Sequence, residues 1–308
     1  MTALRTERIT LATGVSLDVR LGGTGDPVFF LHGFPESHRT WRHQLDDLGR
    51  DHFVVAPDQR GFGGSDKPQK VEDYQTNKIV ADLMALADAL GIERFTLVGH
   101  DWGGAVAWLA ALNQPERLSR LVIVNAPHPF IFQKWVIEDP GQRAGSQYIR
   151  AFRSRLMEVG IEEMGLEKFF AKSFGRHAGL GTIPEEERRA YIEDWSQPGA
   201  LTAMLNWYRA STLEVPAVGE AAELPAWTRM VFPILRIPVL VIWGMKDKAL
   251  LPVQLEGLDK LVTNLRIKRI EDAAHFVTWE KPEAVNAAIR EFIGATGPGP
   301  SPLEELGA

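Results

Sequence analysis

The sequence predicts an α/β protein, a mostly parallel, doubly wound sheet with a helical cap inserted between its sixth and seventh strands. Three observations predict it. Short apolar β-runs alternate with helical periodicity in residues 1–127 and again after 232, the rhythm of parallel strands joined by helical crossovers. The stretch from His128 to about Phe232 carries helical patterns and no β-run. Finally, the strand Phe95–Val98 runs through Gly99-His100-Asp101-Trp102-Gly103 into the alanine-rich helix Ala105–Leu112, a sharp strand-to-helix turn.

The elements follow in order. Arg8–Leu21 alternates polar and apolar residues around Gly14 and reads as an antiparallel hairpin. After a turn at Gly22–Pro27, Val28–Leu31 is continuously apolar, as strands inside parallel sheets are, and leads directly into His32-Gly33-Phe34-Pro35. Trp41–Leu48 reads as a helix, Phe53–Ala56 as a strand and Asp58–Asp66 as a glycine-rich loop. Asn77–Leu90 is an amphipathic helix stopped by Gly91, and Leu121–Val124 is the sixth strand. Inside the insertion, helices are expected over Gln147–Val159, Glu185–Trp195 and Leu201–Ala210. The sheet resumes with Ile237–Trp243, a helix near Val253–Leu261, the strand Leu265–Ile270 and a closing helix Pro282–Ile293, whose proline suits a first turn. The Gly/Pro-rich tail, 295–308, is expected to fray. The chain therefore divides into a first core segment (1–127), a cap (128–232), a second core segment (233–294) and the tail.

Bulk composition narrows the function. With 308 residues, 45% hydrophobic and 24% charged, the chain can bury a large core. A net charge of −6 without any basic run argues against a nucleic-acid partner. The absence of cysteine excludes disulfides and thiolate metal sites. The N-terminus lacks a signal-peptide core and no apolar run approaches the roughly 20 residues of a membrane span, so a cytoplasmic protein is expected.

The turn at Asp101 carries the chemistry. It has the Gly-x-Ser-x-Gly pattern with aspartate in place of serine. A carboxylate is already ionised at neutral pH and needs no base to act as a nucleophile. Attacking a saturated carbon it forms an ester that water can cleave, whereas serine would form an inert ether. Asp101 thus points to an electrophilic sp3 carbon, in an epoxide or alkyl halide. Taken alone, it also fits an aspartate capping a helix. Asp247, after the strand ending at Trp243, and His275, after the last strand, complete the chain order nucleophile, acid, histidine of the α/β-hydrolases. Either alone is an ordinary turn or surface residue. In this order, His275 activates water against the ester while Asp247 orients the imidazole. The oxyanion donors expected from elbow geometry are the backbone N–H groups of Trp102 and Phe34, the latter in the loop supported by His32, Gly33 and Pro35.

The chain resembles the epoxide hydrolases of the α/β-hydrolase fold family. The matching pieces are His32–Ser37 with Trp41, Asp58–Ser65, Gly99–Gly104, Leu205–Arg209, Lys246-Asp247, and His275 with Lys281-Pro282. The resemblance implies hydrolysis of an apolar epoxide by water to a vicinal diol, no cofactor, no metal and a cis Phe34–Pro35 bond. It also implies two cap tyrosines that hydrogen-bond the epoxide oxygen, matched here by Tyr208 in Asn-Trp-Tyr-Arg and by Tyr148. Tyr191 has no matching context and is read as packing. The alternative is a haloalkane dehalogenase using the same three residues, in which Trp102 would hold the halide. That reading needs a second halide donor where Phe34 stands and leaves both tyrosines without a task. A fluoroacetate dehalogenase would need an arginine at Trp102. A binding protein without turnover would have no use for the intact set. His100 is read as a packed neighbour, and Asp58 and Arg60 as structural. Phe130, Trp135, Phe152, Phe169, Phe170 and Trp207 fit either a substrate tunnel or a core. Glu185–Glu187 reads as a solvated helix start.

Overall fold

The computed structural model describes residues 4–175 and 183–294. The strands are β1 (Arg5–Thr10), β2 (Ser16–Gly22), β3 (Pro27–Leu31), β4 (Phe53–Pro57), β5 (Phe95–His100), β6 (Leu118–Val124), β7 (Val239–Gly244) and β8 (Leu265–Ile270). They form one sheet in the order β1-β2-β4-β3-β5-β6-β7-β8. The hairpin β1–β2 and the pair β2–β4 are antiparallel, and every pairing from β4 through β3 to β8 is parallel. Strand order reverses at β3, which lies between β4 and β5 with Leu31 beside Gly99. Such a reversal opens a crevice at the strand C-termini.

The central strands are apolar on both faces because both are covered. On β3, Val28 and Phe30 belong to one buried cluster while Phe29 and Leu31 belong to the other. The first cluster packs against α1 (Arg42–Leu48) and the closing helix, the second against α2 (Thr76–Ala89) and α3 (Trp102–Asn113). Among the described residues, seven α-helices lie between β6 and β7: α4 (Pro129–Glu138), α5 (Pro140–Gly145), α6 (Gln147–Arg153), α7 (Met157–Met164), α8 (Leu166–Phe174), α9 (Glu185–Ser196) and α10 (Ala200–Ala210). The chain closes with α11 (Val277–Glu280) and α12 (Pro282–Gly294). Among the described residues no helix is long and apolar enough to cross a membrane. The tail expected to fray lies outside the described residues.

Two expected helices are corrected. The helix over 147–159 is broken at Ser154, whose backbone is extended (ψ 137°) and whose hydroxyl accepts from Leu156 N–H. A side chain competing for the backbone ends the helix there. The preceding Arg153 reinforces the break by donating to the carbonyls of Tyr208, Ser211 and Leu213. The helix near 253–261 is instead two short 3-10 turns, Pro252–Leu255 and Leu258–Lys260, separated at Gly257 with φ +86°. A left-handed residue cannot sit inside a right-handed helix.

Candidate active site

Asp101 sits at the bend between β5 and α3 with φ 50° and ψ −120°. For a residue with a Cβ this costs on the order of 1–3 kcal/mol, which the surrounding packing must offset. The glycines make the bend possible. A side chain on Gly99 would strike the Gly103 backbone, and one on Gly104 would strike Ala126. One on Gly33 would strike the Asp101 carboxylate itself, so the loop after β3 approaches Asp101 as backbone.

The Asp101 carboxylate faces two different groups. Its Oδ1 accepts from Phe34 N–H at 2.9 Å, and its Oδ2 lies 3.5 Å from His275 Nε2. Trp102 is the first residue of α3, so its amide is among those without an intrahelical acceptor. The Phe34–Pro35 peptide is cis. His32 holds this loop in place: Gln59 N–H donates to its Nε2 at 3.0 Å and its Nδ1 donates to Gly33 C=O at 2.8 Å.

His275 and Asp247 meet through His275 Nδ1 and Asp247 Oδ2 at 2.7 Å. Asp247 also accepts from Asn125 Nδ2 at 2.8 Å and from the N–H groups of Ala249 and Leu250 at 2.8 and 2.9 Å. Burial alone would raise both carboxylates, but the His275 charge and hydrogen bond hold Asp101 and Asp247 below the ordinary carboxylate value. Burial would lower His275, yet the Asp247 charge and the contacts to Asp101 push it well above the ordinary imidazole value.

Three residues outside the expected set complete the frame. Asn125, at the end of β6, bridges Asp247 and Gly244 N–H (2.8 Å each) in a left-handed conformation, φ 39°, that asparagine tolerates. His100 is more than a packed neighbour. Its Nε2 donates to the His275 carbonyl and its Nδ1 bonds Glu36 Oε2, both at 2.9 Å. Glu36 also accepts from Trp279 Nε1 at 3.0 Å. The only sequence signal for these was their position at strand ends or in the loop motif.

Tyr148, on α6, and Tyr208, on α10, both line two cavities that meet at Asp101, one of about 480 Å³ and one of about 990 Å³. Their rings are 6.0 Å apart at 82°. Burial raises both phenols well above their ordinary value, and the Asp101 charge raises them further. The Tyr208 ring packs edge-on against Trp102 at 5.2 Å and 83°. Phe152 and Phe169 line the larger cavity, and Phe132 and Trp227, not singled out from sequence, line the smaller. Phe170 packs inside the cap on Phe174 and Trp195, and Trp207 on Phe62 with its indole donating to Arg60 C=O. Phe130 packs on Phe232. Tyr191 is fully buried against Trp195 and Phe174. Arg60 pairs with Asp82, and Asp58 accepts from His38, both in buried structural contacts.

Comparison with known proteins identifies the family. A model of the alpha/beta hydrolase fold matches residues 26–282. An AB hydrolase superfamily protein of Bacillus subtilis (strain 168) is 34% identical over 287 residues, 91% of this chain and 95% of that protein. Epoxide hydrolase 3 of Xenopus tropicalis is 33% identical over 272 residues, 86% of this chain and 71% of that protein. A solved structure described among novel epoxide hydrolases in metagenomes from hot environments superposes with a TM-score of 0.88 at 44% identity, covering 96% of this chain and 100% of the other. With its mostly parallel sheet, its inserted helices and the strand-end residues described above, the chain belongs to the α/β-hydrolase superfamily and, within it, to the epoxide hydrolases.

Proposed function

We propose that the protein hydrolyses an epoxide to a vicinal diol through a covalent ester on Asp101. The observation that carries this reading is the division of the Asp101 carboxylate. One oxygen is engaged by the Phe34 amide and the other lies beside His275, where two buried tyrosines line the same space. Asp101 Oδ2 attacks a ring carbon, and the opening C–O bond leaves its electron pair on oxygen. Tyr148 and Tyr208 hydrogen-bond that oxygen and one phenol gives it a proton. His275 then takes a proton from water as the hydroxide adds to the ester carbon. The charge arriving on Oδ1 is met by the N–H groups of Phe34 and Trp102. Collapse expels the second alkoxide, which is protonated by the imidazolium. The carboxyl proton left on Asp101 returns to the tyrosinate, closing the cycle without a cofactor.

Asp247 keeps the imidazole oriented and stabilises its cation throughout. The two cavities meeting at Asp101 accommodate substituents on the two ring carbons. In the same proposal, residues 1–127 and 233–294 supply the catalytic core and 128–232 the cap, in a cytoplasmic protein. The haloalkane dehalogenase reading is disfavoured because Phe34 stands where a second halide donor would be needed and the two tyrosines lining the space beside Asp101 would have no task.

A single turnover of styrene oxide by excess enzyme in 18O water tests the proposal. Label is expected in Asp101, because the ester is cut at its carbonyl, and His275→Gln is expected to trap the ester. Label confined to the diol rules out the covalent route. Bromide release from 1-bromobutane without epoxide opening would favour the dehalogenase.

A further inference from the structure

The amide that meets Asp101 is the last link of a hydrogen-bonded chain that starts in the cap. Trp195, near the end of α9, is 3% exposed, with its ring against Phe169 at 5.1 Å and stacked on Phe174 at 6.3 Å. Its Nε1–H donates to the Pro35 carbonyl at 2.9 Å. That carbonyl shares a peptide unit with Glu36 N–H, which donates to the Gly33 carbonyl at 3.1 Å. The Gly33 carbonyl shares a peptide unit with Phe34 N–H, which donates to Asp101 Oδ1 at 2.9 Å. All three bonds run in one sense, from indole to carboxylate. Linked in this way, peptide groups polarise one another, strengthening each bond by about 10–30%. The cap also fixes the turn from its other side, where the Phe34 ring lies 5.0 Å from both Phe152 and Tyr208.

We propose that Trp195 is a positioning residue for ester hydrolysis: through the peptide groups between Pro35 and Gly33, its indole N–H strengthens the binding of the oxyanion by Phe34 N–H, adding to the His32 Nδ1 bond to the same Gly33 carbonyl. This rests on the covalent-ester reading above. The charge on Oδ1 decides which half-reaction responds. In the free enzyme Oδ1 shares the carboxylate charge, and alkylation at Oδ2 removes that charge. Attack of water then places a full negative charge on Oδ1. A strong donor therefore assists breakdown of the ester and gives no help to its formation.

The test is Trp195→Phe, which keeps an aromatic ring and loses the N–H. Rapid-quench mass spectrometry with styrene oxide follows formation and decay of the protein-bound ester separately. The expected result is ester decay slowed about three- to tenfold, with formation as fast as wild type or slightly faster. At steady state the ester accumulates, and kcat/KM does not fall. If formation and decay slow together, Trp195 is only a packing residue and the proposal is overturned, as it is if neither changes. Should Trp195→Phe fold poorly, replacement of Trp195 by benzothienylalanine removes the N–H while keeping the bicyclic shape, with the same expectation. Wild-type enzyme that never forms the ester would overturn the covalent reading itself. A normal wild-type ester with unaltered decay in the variant overturns only the relay.

Discussion

Asp247→Asn removes a charge while keeping the side chain's shape, and the structure indicates that the amide fits badly. Asp247 accepts four hydrogen bonds, at 2.7 Å from His275, 2.8 Å from Asn125, 2.8 Å from Ala249 and 2.9 Å from Leu250. An amide has one oxygen, so its NH2 must face two of these donors. Turned towards Ala249 and Leu250, it leaves two buried amides without an acceptor. Turned towards His275, it strands the Asn125 amide and obliges the imidazole to accept at Nδ1. Its proton then sits on Nε2, facing Asp101, and no base remains for water. The second arrangement costs less, about 1–3 kcal/mol for one unsatisfied buried donor. For a chain of 308 residues the unfolding entropy is about 0.6 kcal/mol per degree, so Tm should fall by about 2–5 °C. Turnover should fall by about 10³–10⁴-fold because the histidine is held in the wrong tautomer. Calorimetry, steady-state kcat and mass spectrometry of the quenched protein measure the three consequences, the last showing ester accumulation. Turnover within tenfold of wild type would refute the tautomer argument.

Tyr208→Phe and Tyr148→Phe should each slow ester formation, by about 10²-fold for the phenol that gives the proton. Rapid-quench measurement of alkylation by each variant decides between them, and unaltered formation in both would remove the tyrosines from the mechanism. Burial lowers His275, but the charge of Asp247 and the contacts to Asp101 hold it above its ordinary value. Esterification removes the Asp101 charge, so the imidazole becomes a weaker base and sheds its proton more readily. The acid limb of kcat is therefore expected at lower pH than the His275 titration seen by NMR in the free enzyme. Coincident values would count against that coupling. Gly33→Ala places a methyl group against the Asp101 carboxylate. A displacement of about 1 Å should lower kcat/KM about 100-fold, measurable with styrene oxide.

The strand ends were legible from sequence because a buried parallel strand is a local apolar run. Asp101, Asp247 and His275 could be found by the strand each one follows. Asn125 and His100 also stand at strand ends and Glu36 in the loop after β3, but their roles depend on distant partners. His100 reaches a carbonyl 175 positions away and Asn125 a carboxylate 122 away, contacts that only the assembled sheet creates. The break at Ser154 was hidden because periodicity does not register a hydroxyl competing for the backbone. Nor does it give the sign of φ at Gly257. The cap aromatics show the same limit at neighbouring positions. Phe169 lines the larger cavity while Phe170 is buried inside the cap, a distinction set by the rotation of α8 on its neighbours.

The cap helices enter the chain at a single junction, between β6 and β7, while Asp101, Asp247 and His275 follow β5, β7 and β8. The pieces that shape the space around the substrate can therefore diverge in sequence without altering the register of the strands that hold the reacting groups. Exchange of the whole insertion becomes a route to new substrate preference, on one condition. On the proposed mechanism, the replacement must still offer two phenols beside Asp101 and an indole to the Pro35 carbonyl, where the insertion meets the loop after β3.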